Sequence, residues 1–367
     1  MNKTSYNSEG TGSIMLEIAG ITIFILGVIG NMLLLVCLTK LRYLKNLFEK
    51  LLFNLACCNL LLLLLSIPTS HVIDRKKPNY PFGAAGCKLI DPCSTYAANA
   101  TALTLVAIAI QRYNVTARRI IDIPTARKQF IAIFSIHFVS FLSIIPFMMS
   151  LRYLYLRCNE KWSVRSRRIY TILLFCFQYA IPVPTMAVLY TKSWLVIYDS
   201  LSYVASITIR HEQKQFEEAE KSSAETNDKI RDIEAEKKSI QDGVENASPR
   251  IFCAVYYIMP KNVKRCEEII GSNHVQTKAF QIRLRQSRNI LKMFSAIVVL
   301  YAIFFLPHHL LWLYIDFASV EEDMLQPWLV QITYLMTYIN SVLNPWMHGK
   351  LRKRFRAKIR ELRSNMF

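Results

Sequence analysis

Seven stretches of this sequence are apolar for long enough to cross a lipid bilayer, and no other feature restricts its possible folds as much. Spanning roughly 30 Å of hydrocarbon at 1.5 Å per helical residue takes about 20 mostly apolar positions. Residues 14–38, 51–73, 84–110, 130–151, 169–198, 289–315 and 327–348 satisfy this. Each is expected to be helical, because an isolated strand leaves its backbone groups unpaired in lipid. The third stretch is interrupted by Asp91, Pro92, Ser94, Thr95 and Asn99, polar residues that belong on a face turned toward the bundle interior. The expected fold class is all-α, a seven-transmembrane helix bundle. A hydrophobic fraction of 53% segregated from a net charge of +19 argues against a soluble globule.

Orientation follows from Lys and Arg in the short loops, with the long fifth connection set aside because long loops obey the rule poorly. One side collects 17, including Lys40, Arg42, Arg112, Arg118, Arg119 and the run from Lys350 to Arg363. The other holds 10, among them Arg75, Arg157, Arg165, Arg167 and Arg168. The N-terminus is therefore expected outside the cell, with the protein multi-pass in the plasma membrane. The sequence lacks a cleavable leader pattern, since 1–13 is polar and the following apolar run is too long for a signal-peptide core.

The chain divides into an extracellular tail (1–13), helices one to five (14–198), a long third intracellular loop (199–286), helices six and seven (287–348) and a basic C-terminal segment (349–367). Within the tail, Asn2-Lys3-Thr4 is an N-glycosylation acceptor pattern suited to an exported segment. The long loop is rich in charge and poor in apolar anchors, with 11 acidic and 6 basic residues between His211 and Glu245. It is expected to be largely disordered or a frayed, solvated helix. In 349–362, Leu351, Phe355, Ile359 and Leu362 form one apolar stripe on a basic helix, suited to lying against anionic lipid.

Most of the nine cysteines read as small apolar fillers. Cys87 and Cys158 differ: both fall on the expected extracellular side, where oxidising conditions allow a bridge. No Cys and His set has metal-ligand spacing, and His308 and His309 are adjacent, on different helix faces. No metal, cofactor or nucleic-acid partner is expected.

Taken in order, the motifs resemble those of a rhodopsin-like (class A) G-protein-coupled receptor, over all seven spans and the basic terminal segment. Gly30-Asn31 matches the first helix, and Asn54-Leu55-Ala56 the second, which ends in Asn59 where the family has Asp. Pro81-Phe82-Gly83 with Cys87 resembles the first extracellular loop and third-helix cysteine. Gln111-Arg112-Tyr113 resembles the Asp-Arg-Tyr triplet. Pro182 with Tyr190 matches the fifth helix, and Phe304-Phe305-Leu306-Pro307 the sixth, with Phe305 at the Trp position. Asn344-Pro345-Trp346-Met347-His348 resembles the Asn-Pro-x-x-Tyr region, and Phe355 the start of an amphipathic eighth helix. The 25 residues from Cys87 to Arg112 span about 37 Å as helix, which places them near opposite membrane faces.

This resemblance implies a Cys87–Cys158 disulfide and an Arg112 held inward when silent and released when the sixth helix swings out to admit a heterotrimeric G protein. Pro307 and Pro345 each remove a helical hydrogen bond and permit the kinks on which such a swing depends. The departures carry expectations of their own. Asn59, Thr101, Asn340 and Asn344 occupy the family's sodium pocket without a negative charge, so weak sodium binding is expected. Gln111 cannot ion-pair with Arg112, nor does Ser287 offer an acid, which predicts raised ligand-independent signalling unless neutral hydrogen bonds restrain the arginine. The usual fourth-helix Trp is absent, leaving that helix's register open.

Ser94 stands where amine receptors of the family carry Asp, which argues against monoamine ligands, and the seventh span has no lysine for retinal. The pattern is most like the peptide and neuropeptide branch. Ser94, Tyr96, Gln178, His308, His309, Trp312 and Tyr334 are the candidates to line an outward cavity for a peptide or small ligand. The basic loop before the fifth span and the acids Asp316, Glu321, Glu322 and Asp323 after the sixth form rims that can attract each other. Competing readings are a divergent receptor with weak or no coupling, given Gln111, Phe305 and His348, or a transporter, although no internal repeat is visible. An enzyme would need facing acids or an activated nucleophile in the spans; Asp91 alone does not supply that.

Overall fold

The computed structural model describes residues 3–40, 46–76, 79–116, 125–228, 274–318 and 324–351, with side chains chiefly over 14–39, 46–73, 79–116, 125–203, 284–318 and 324–347. The helices are α1 (Lys3–Lys40), α2 (Leu47–Lys76), α3 (Gly83–Thr116), α4 (Ala126–Ser150), α5 (Val164–Phe175), α6 (Pro182–Asp228), α7 (His274–Ala318) and α8 (Pro327–Leu351). One π-helical turn, Cys176–Ala180, joins α5 to α6, so the two make a single fifth span. Among the described residues six helices are long and apolar enough to cross a membrane, and α8 is the seventh span expected from the sequence.

Burial sorts the helix faces as the sequence requires. On α2, Leu51, Leu52, Leu55, Ala56 and Leu63 are fully buried, while Ile14, Ile18, Ile21, Ile25 and Ile29 of α1 lie on the outside. An outer surface of this kind is stable against lipid and not against water. The polar face expected on α3 is real: Asn99, Thr101 and Thr104 are buried. There α3 packs against α2 and α4, while α1 packs against α2 and α8. Close approach of α1 to α8 depends on Gly30, where a Cβ would lie 2.8 Å from the rigid Pro345 ring.

Three segments differ from expectation. Helix α1 begins at Lys3, within the expected tail, and the fifth-span helix runs on to Asp228, into the loop expected to be largely disordered. Good helix formers in 211–228 carry the helix onward once the span has nucleated it. By contact the chain forms two compact units, Met1–Trp194 with Asn289–Phe367, and Leu195–Arg288; the sites below lie in the first. Asn2, the loop residues 229–273 and the amphipathic stripe of Phe355, Ile359 and Leu362 lie outside the described residues.

The third difference is a hairpin between α4 and α5 that the span count did not anticipate. Strands β1 (Leu151–Leu154) and β2 (Arg157–Glu160) pair antiparallel, with Tyr153 opposite Cys158. Tyr155 and Leu156 turn the chain with φ of 51° and 61°, the left-handed pair that a two-residue hairpin demands and that Asn-Gly normally supplies. Two bonds hold it in place: the Tyr80 amide donates to the Leu156 carbonyl at 2.7 Å, and Cys158 is bridged to Cys87. The bridge is buried among Tyr80, Leu151, Phe82, Phe147 and Tyr153, and burial holds the Tyr80 phenol up at about 12.

Candidate functional site

Prolines decide which backbone groups the inner helix faces offer. Pro182 has no amide hydrogen, so the Gln178 carbonyl four residues earlier lacks a helical donor. The Tyr301 hydroxyl of α7 donates to it at 2.6 Å. Pro345 leaves the Ser341 carbonyl in the same condition, and Asn31 Nδ2 of α1 donates there at 3.0 Å. The π-helical turn, closed by an Ile181 amide to Cys176 carbonyl bond, adds a residue per turn and rotates Gln178 inward. Its amide donates to Asn99 Oδ1 of α3, while the Tyr179 hydroxyl reaches the Ala302 carbonyl at 3.0 Å.

Above these bonds the rings of α7 form a column. Phe305 stacks on buried Tyr301 at 4.2 Å, and His309 lies 6.3 Å from Phe305 and 5.8 Å from both Phe175 and Tyr179. His308, 4.9 Å from Tyr334 and 6.3 Å from Trp312, faces α8. His308 Nδ1 and His309 Nε2 are buried with no protein hydrogen bond. The structure thus gathers His308, His309, Trp312 and Tyr334, and Gln178 joins them through Tyr301. Ser94 instead meets Ser66 of α2 at 3.0 Å.

Tyr96 is turned away from this group. Its hydroxyl lies 2.6 Å from His137 Nδ1 of α4, and His137 Nε2 lies 2.7 Å from Asn54 Oδ1 of α2. His137 thus ties α4 to both α2 and α3, and Asn99 Nδ2, donating to Ser143 Oγ at 2.6 Å, adds a second bond between α3 and α4 that helps to set the fourth helix's register. A cavity of about 450 Å³ lined by Lys88, Phe141, Ile145, Met148, Met149 and Arg152 contains none of the candidate residues. Phe141 and Met149 are exposed along α4, so this cavity opens on the outer face of that helix.

At the rim, the acidic and basic sides named from the sequence meet through Asp316 at the end of α7 and Arg167 and Arg168 at the start of α5. The buried Asp316 carboxylate accepts from Thr171 and lies 2.6 Å from Arg167 Nε. Arg168 Nε donates to the Asp316 carbonyl at 2.9 Å. Their signal was the opposite charge of the two rims, which fixes an attraction but not its partners.

At the other end of α3, the Arg112 guanidinium lies 3.3 Å from the centroid of the Phe48 ring of α2. Phe48 meets Phe294 of α7 edge-on at 5.6 Å, and Phe294 stacks on Tyr190 of α6. Gln111 Oε1 and the Tyr190 hydroxyl are buried without hydrogen-bond partners. Tyr113 lies beside them in sequence, half-buried; His348 has no described side chain.

The sodium-pocket positions Asn59, Thr101, Asn340 and Asn344 are all at most 1% exposed. Asn59 Nδ2 donates to Asn31 Oδ1 at 3.3 Å. Asn59 Oδ1, Thr101 Oγ1, Asn340 Nδ2 and both side-chain polar atoms of Asn344 lack protein partners. The oxygens among them are neutral, and a bare monovalent cation stripped of water needs a counter-charge that none supplies. These residues do not fit sodium well.

The family described as 7 transmembrane receptor (rhodopsin family) matches residues 30–348. Neuropeptide FF receptor 1 of Rattus norvegicus is 27% identical over 204 residues, covering 51% of this chain and 47% of that receptor. Neuropeptide receptor npr-1 of Caenorhabditis elegans is 24% identical over 355 residues, covering 92% and 70%. Neuropeptide Y receptor type 5 of Mus musculus is 23% identical over 401 residues, covering 92% and 83%. Against the first of these, the match spans about half of the relative's length.

Proposed function

The chain belongs to the rhodopsin family of seven-transmembrane receptors, and from that membership we propose that it binds an extracellular peptide and activates heterotrimeric G proteins. The similarity to receptors named for neuropeptides favours a peptide over other ligands. The single observation that carries the reading is the ring column on α7: His309, Phe305 and Tyr301 run past the Pro307 break to a hydroxyl bonded across to Gln178. A ligand that shifts His308 or His309 pushes on packed rings, and close-packed rings transmit displacement instead of absorbing it.

In this reading His308, His309, Trp312 and Tyr334 contact the ligand, with Gln178 behind them. Pro307 lets the inner part of α7 move outward, because no donor closes the turn at the Ile303 carbonyl. Arg112, released from α2, then faces the G protein, with Tyr113, Tyr190, Asn344 and Pro345 shaping the cleft. The N-terminus is extracellular in the plasma membrane, and the basic segment 349–362 rests on anionic lipid.

The second reading, a receptor with little G-protein coupling, is favoured by Gln111 and by Phe305 at the position of the family's Trp. Nucleotide exchange on a panel of purified heterotrimers, driven by a peptide library, decides between them. Coupling is expected to be lost in Arg112→Ala. An alanine variant that signals like the unsubstituted receptor removes Arg112 from the switch, and a silent panel with every peptide favours the second reading.

A further inference from the structure

Two cations stand at the disulfide end of the bundle, beside the apolar outer face of α4. Lys88 follows Cys87, which the bridge to Cys158 fixes in place, and its Nζ donates to the Met148 carbonyl at 2.8 Å. That carbonyl is one of the last four of α4, which have no helical donor, and it uses one of the three ammonium hydrogens. In β1 burial alternates, with Leu151 inward and Arg152 exposed, as the two-residue period of a strand requires. Cross-strand partners share a face. Glu160, paired with Leu151, therefore lies on the opposite face of the hairpin from Arg152, where it accepts from Trp162. Helix α4 contains no acid, and Asp91, a turn beyond Lys88 on α3, makes no ion pair with it. Among the described residues neither Lys88 nor Arg152 has a carboxylate partner.

Both cations line the cavity of about 450 Å³, and the rest of its wall is Phe141, Ile145, Met148 and Met149. Its volume is that of a small-molecule site, roughly 300–1,000 Å³. Phe141, Ile145 and Met149 recur every four residues and so share one face of α4. Phe138, Phe134 and Phe130 prolong that face, each more than half exposed, with Phe134 stacked on its neighbours at 5.8 and 6.0 Å. From Phe138 to Met149 is 11 residues, about 17 Å of helix, close to half of a hydrocarbon layer roughly 30 Å thick. An apolar track half a bilayer long, positive only at its head, matches the length and polarity of a lipid in one leaflet.

We propose that this groove is a site for an anionic phospholipid, with the headgroup phosphate held by Lys88 and Arg152 and one acyl chain lying along Met149, Ile145, Phe141 and Phe138. Two cations with no competing acid favour a headgroup of net negative charge over a zwitterionic one. The phosphate takes the remaining ammonium hydrogens of Lys88 and the flat donor fork of Arg152. It thereby links α3 to β1 beside the disulfide, so the lipid braces the hairpin from the membrane side. The basic segment 349–362 belongs to the opposite end of the bundle and is a separate lipid contact. A second copy of the chain suits this face less well. Pairing about an axis normal to the membrane would bring four cations and no acid to one end.

The test places the full-length receptor in phosphatidylcholine nanodiscs doped with phosphatidylglycerol that carries a photoreactive diazirine in one acyl chain. Matched discs carry the same label on phosphatidylcholine, and adducts are mapped by peptide mass spectrometry. Labelling of 138–149 is expected to favour phosphatidylglycerol about 5-fold. Lys88→Gln with Arg152→Gln should bring that ratio to about 1, and Arg152→Gln alone, at an exposed strand position that folding does not depend on, to about 2. Lys88→Arg with Arg152→Lys should keep the preference. Labelling of the exposed face of α1, residues 14–29, serves as the reference and should show no such dependence on the variants. Equal labelling of 138–149 by the two lipids overturns the proposal, as does a preference that survives both Gln substitutions. A preference abolished by millimolar inorganic phosphate overturns it in favour of a free-anion site. Cross-linked receptor pairs joined through 138–149, in place of lipid adducts, overturn it in favour of a second copy.

Discussion

Arg167 of α5 and Asp316 of α7 face each other across the rim of the bundle, with Nε to Oδ1 at 2.6 Å, the arginine side chain 41% exposed and the aspartate 1%. The asymmetry matters more than the distance. Asp316 cannot reach water if it loses its partner, whereas Arg167 can. Arg167→Ala is therefore expected to cost about 2 kcal/mol, below the 3–5 typical when a fully buried pair is broken, because one partner is partly solvated. Asp316→Asn, which keeps an oxygen for Thr171 and frees Arg167 into solvent, should cost about 1 kcal/mol or less. Thermal melting of both variants in one nanodisc preparation gives the order, and a larger loss in Asp316→Asn would contradict this account of the rim.

Tyr301 and Pro182 offer a sharper test because one exists to satisfy what the other leaves open. Tyr301→Phe strands the buried Gln178 carbonyl and is expected to cost about 1–3 kcal/mol. Pro182→Ala restores an amide at that position, within a π-helical turn that must adjust to receive it. In the double variant the carbonyl has a helical donor again, so Tyr301→Phe should cost at least 1 kcal/mol less than it does alone. Additive losses would mean that the hydroxyl and the proline act independently.

How far the sequence could carry this follows from the kind of information each feature needs. A span depends on the composition of its own residues, so seven apolar runs suffice to place seven helices, and the proline positions suffice to mark weak points. A contact depends on two faces at once. Tyr96 and Gln178 are both polar residues on mixed helices, and nothing local says that Tyr96 turns to His137 while the π-helical turn rotates Gln178 inward. The fourth helix showed the same limit: without its usual Trp, its register rests on cross-helix bonds such as those of His137 to Tyr96 and Asn54 and of Ser143 to Asn99, which no local pattern announces. Arg112 was visible as a switch candidate, yet its neighbour Phe48 is 64 residues away in the chain, and Phe48 on its own reads as one more apolar residue near a helix start.

The hairpin was missed for a different reason, which itself yields a prediction. Tyr155 and Leu156 occupy left-handed backbone, where side chains with a Cβ are strained and Asn-Gly is the usual signal. The disulfide and the Tyr80 to Leu156 bond hold the turn despite that strain. Replacing both residues, Tyr155→Asn with Leu156→Gly, should relieve up to about 1–2 kcal/mol per position. The Tyr155 side chain is 95% exposed, so little packing is lost at that position. A raised melting temperature is expected; a lowered one would show that Leu156, which is 55% exposed, makes packing worth more than its backbone costs.

Asn59 provides the last prediction, and it separates a pocket's shape from its charge. The positions that would surround a sodium ion are present and buried, and Asn59 Oδ1, Thr101 Oγ1 and Asn344 Oδ1 carry lone pairs that no protein group uses. What is missing is a negative charge to repay dehydration of the cation. The receptor's melting temperature is accordingly expected to be the same in sodium and in choline chloride at equal ionic strength. Asn59→Asp adds the charge without changing the size of the side chain. If sodium then stands at tenfold its dissociation constant, linkage gives about 1.4 kcal/mol of stabilisation, visible as a melting shift in sodium alone. Sodium-dependent melting of the unsubstituted receptor would show that neutral oxygens suffice here, and a variant indifferent to sodium would show that the pocket's geometry, and not only its charge, has departed from a cation site.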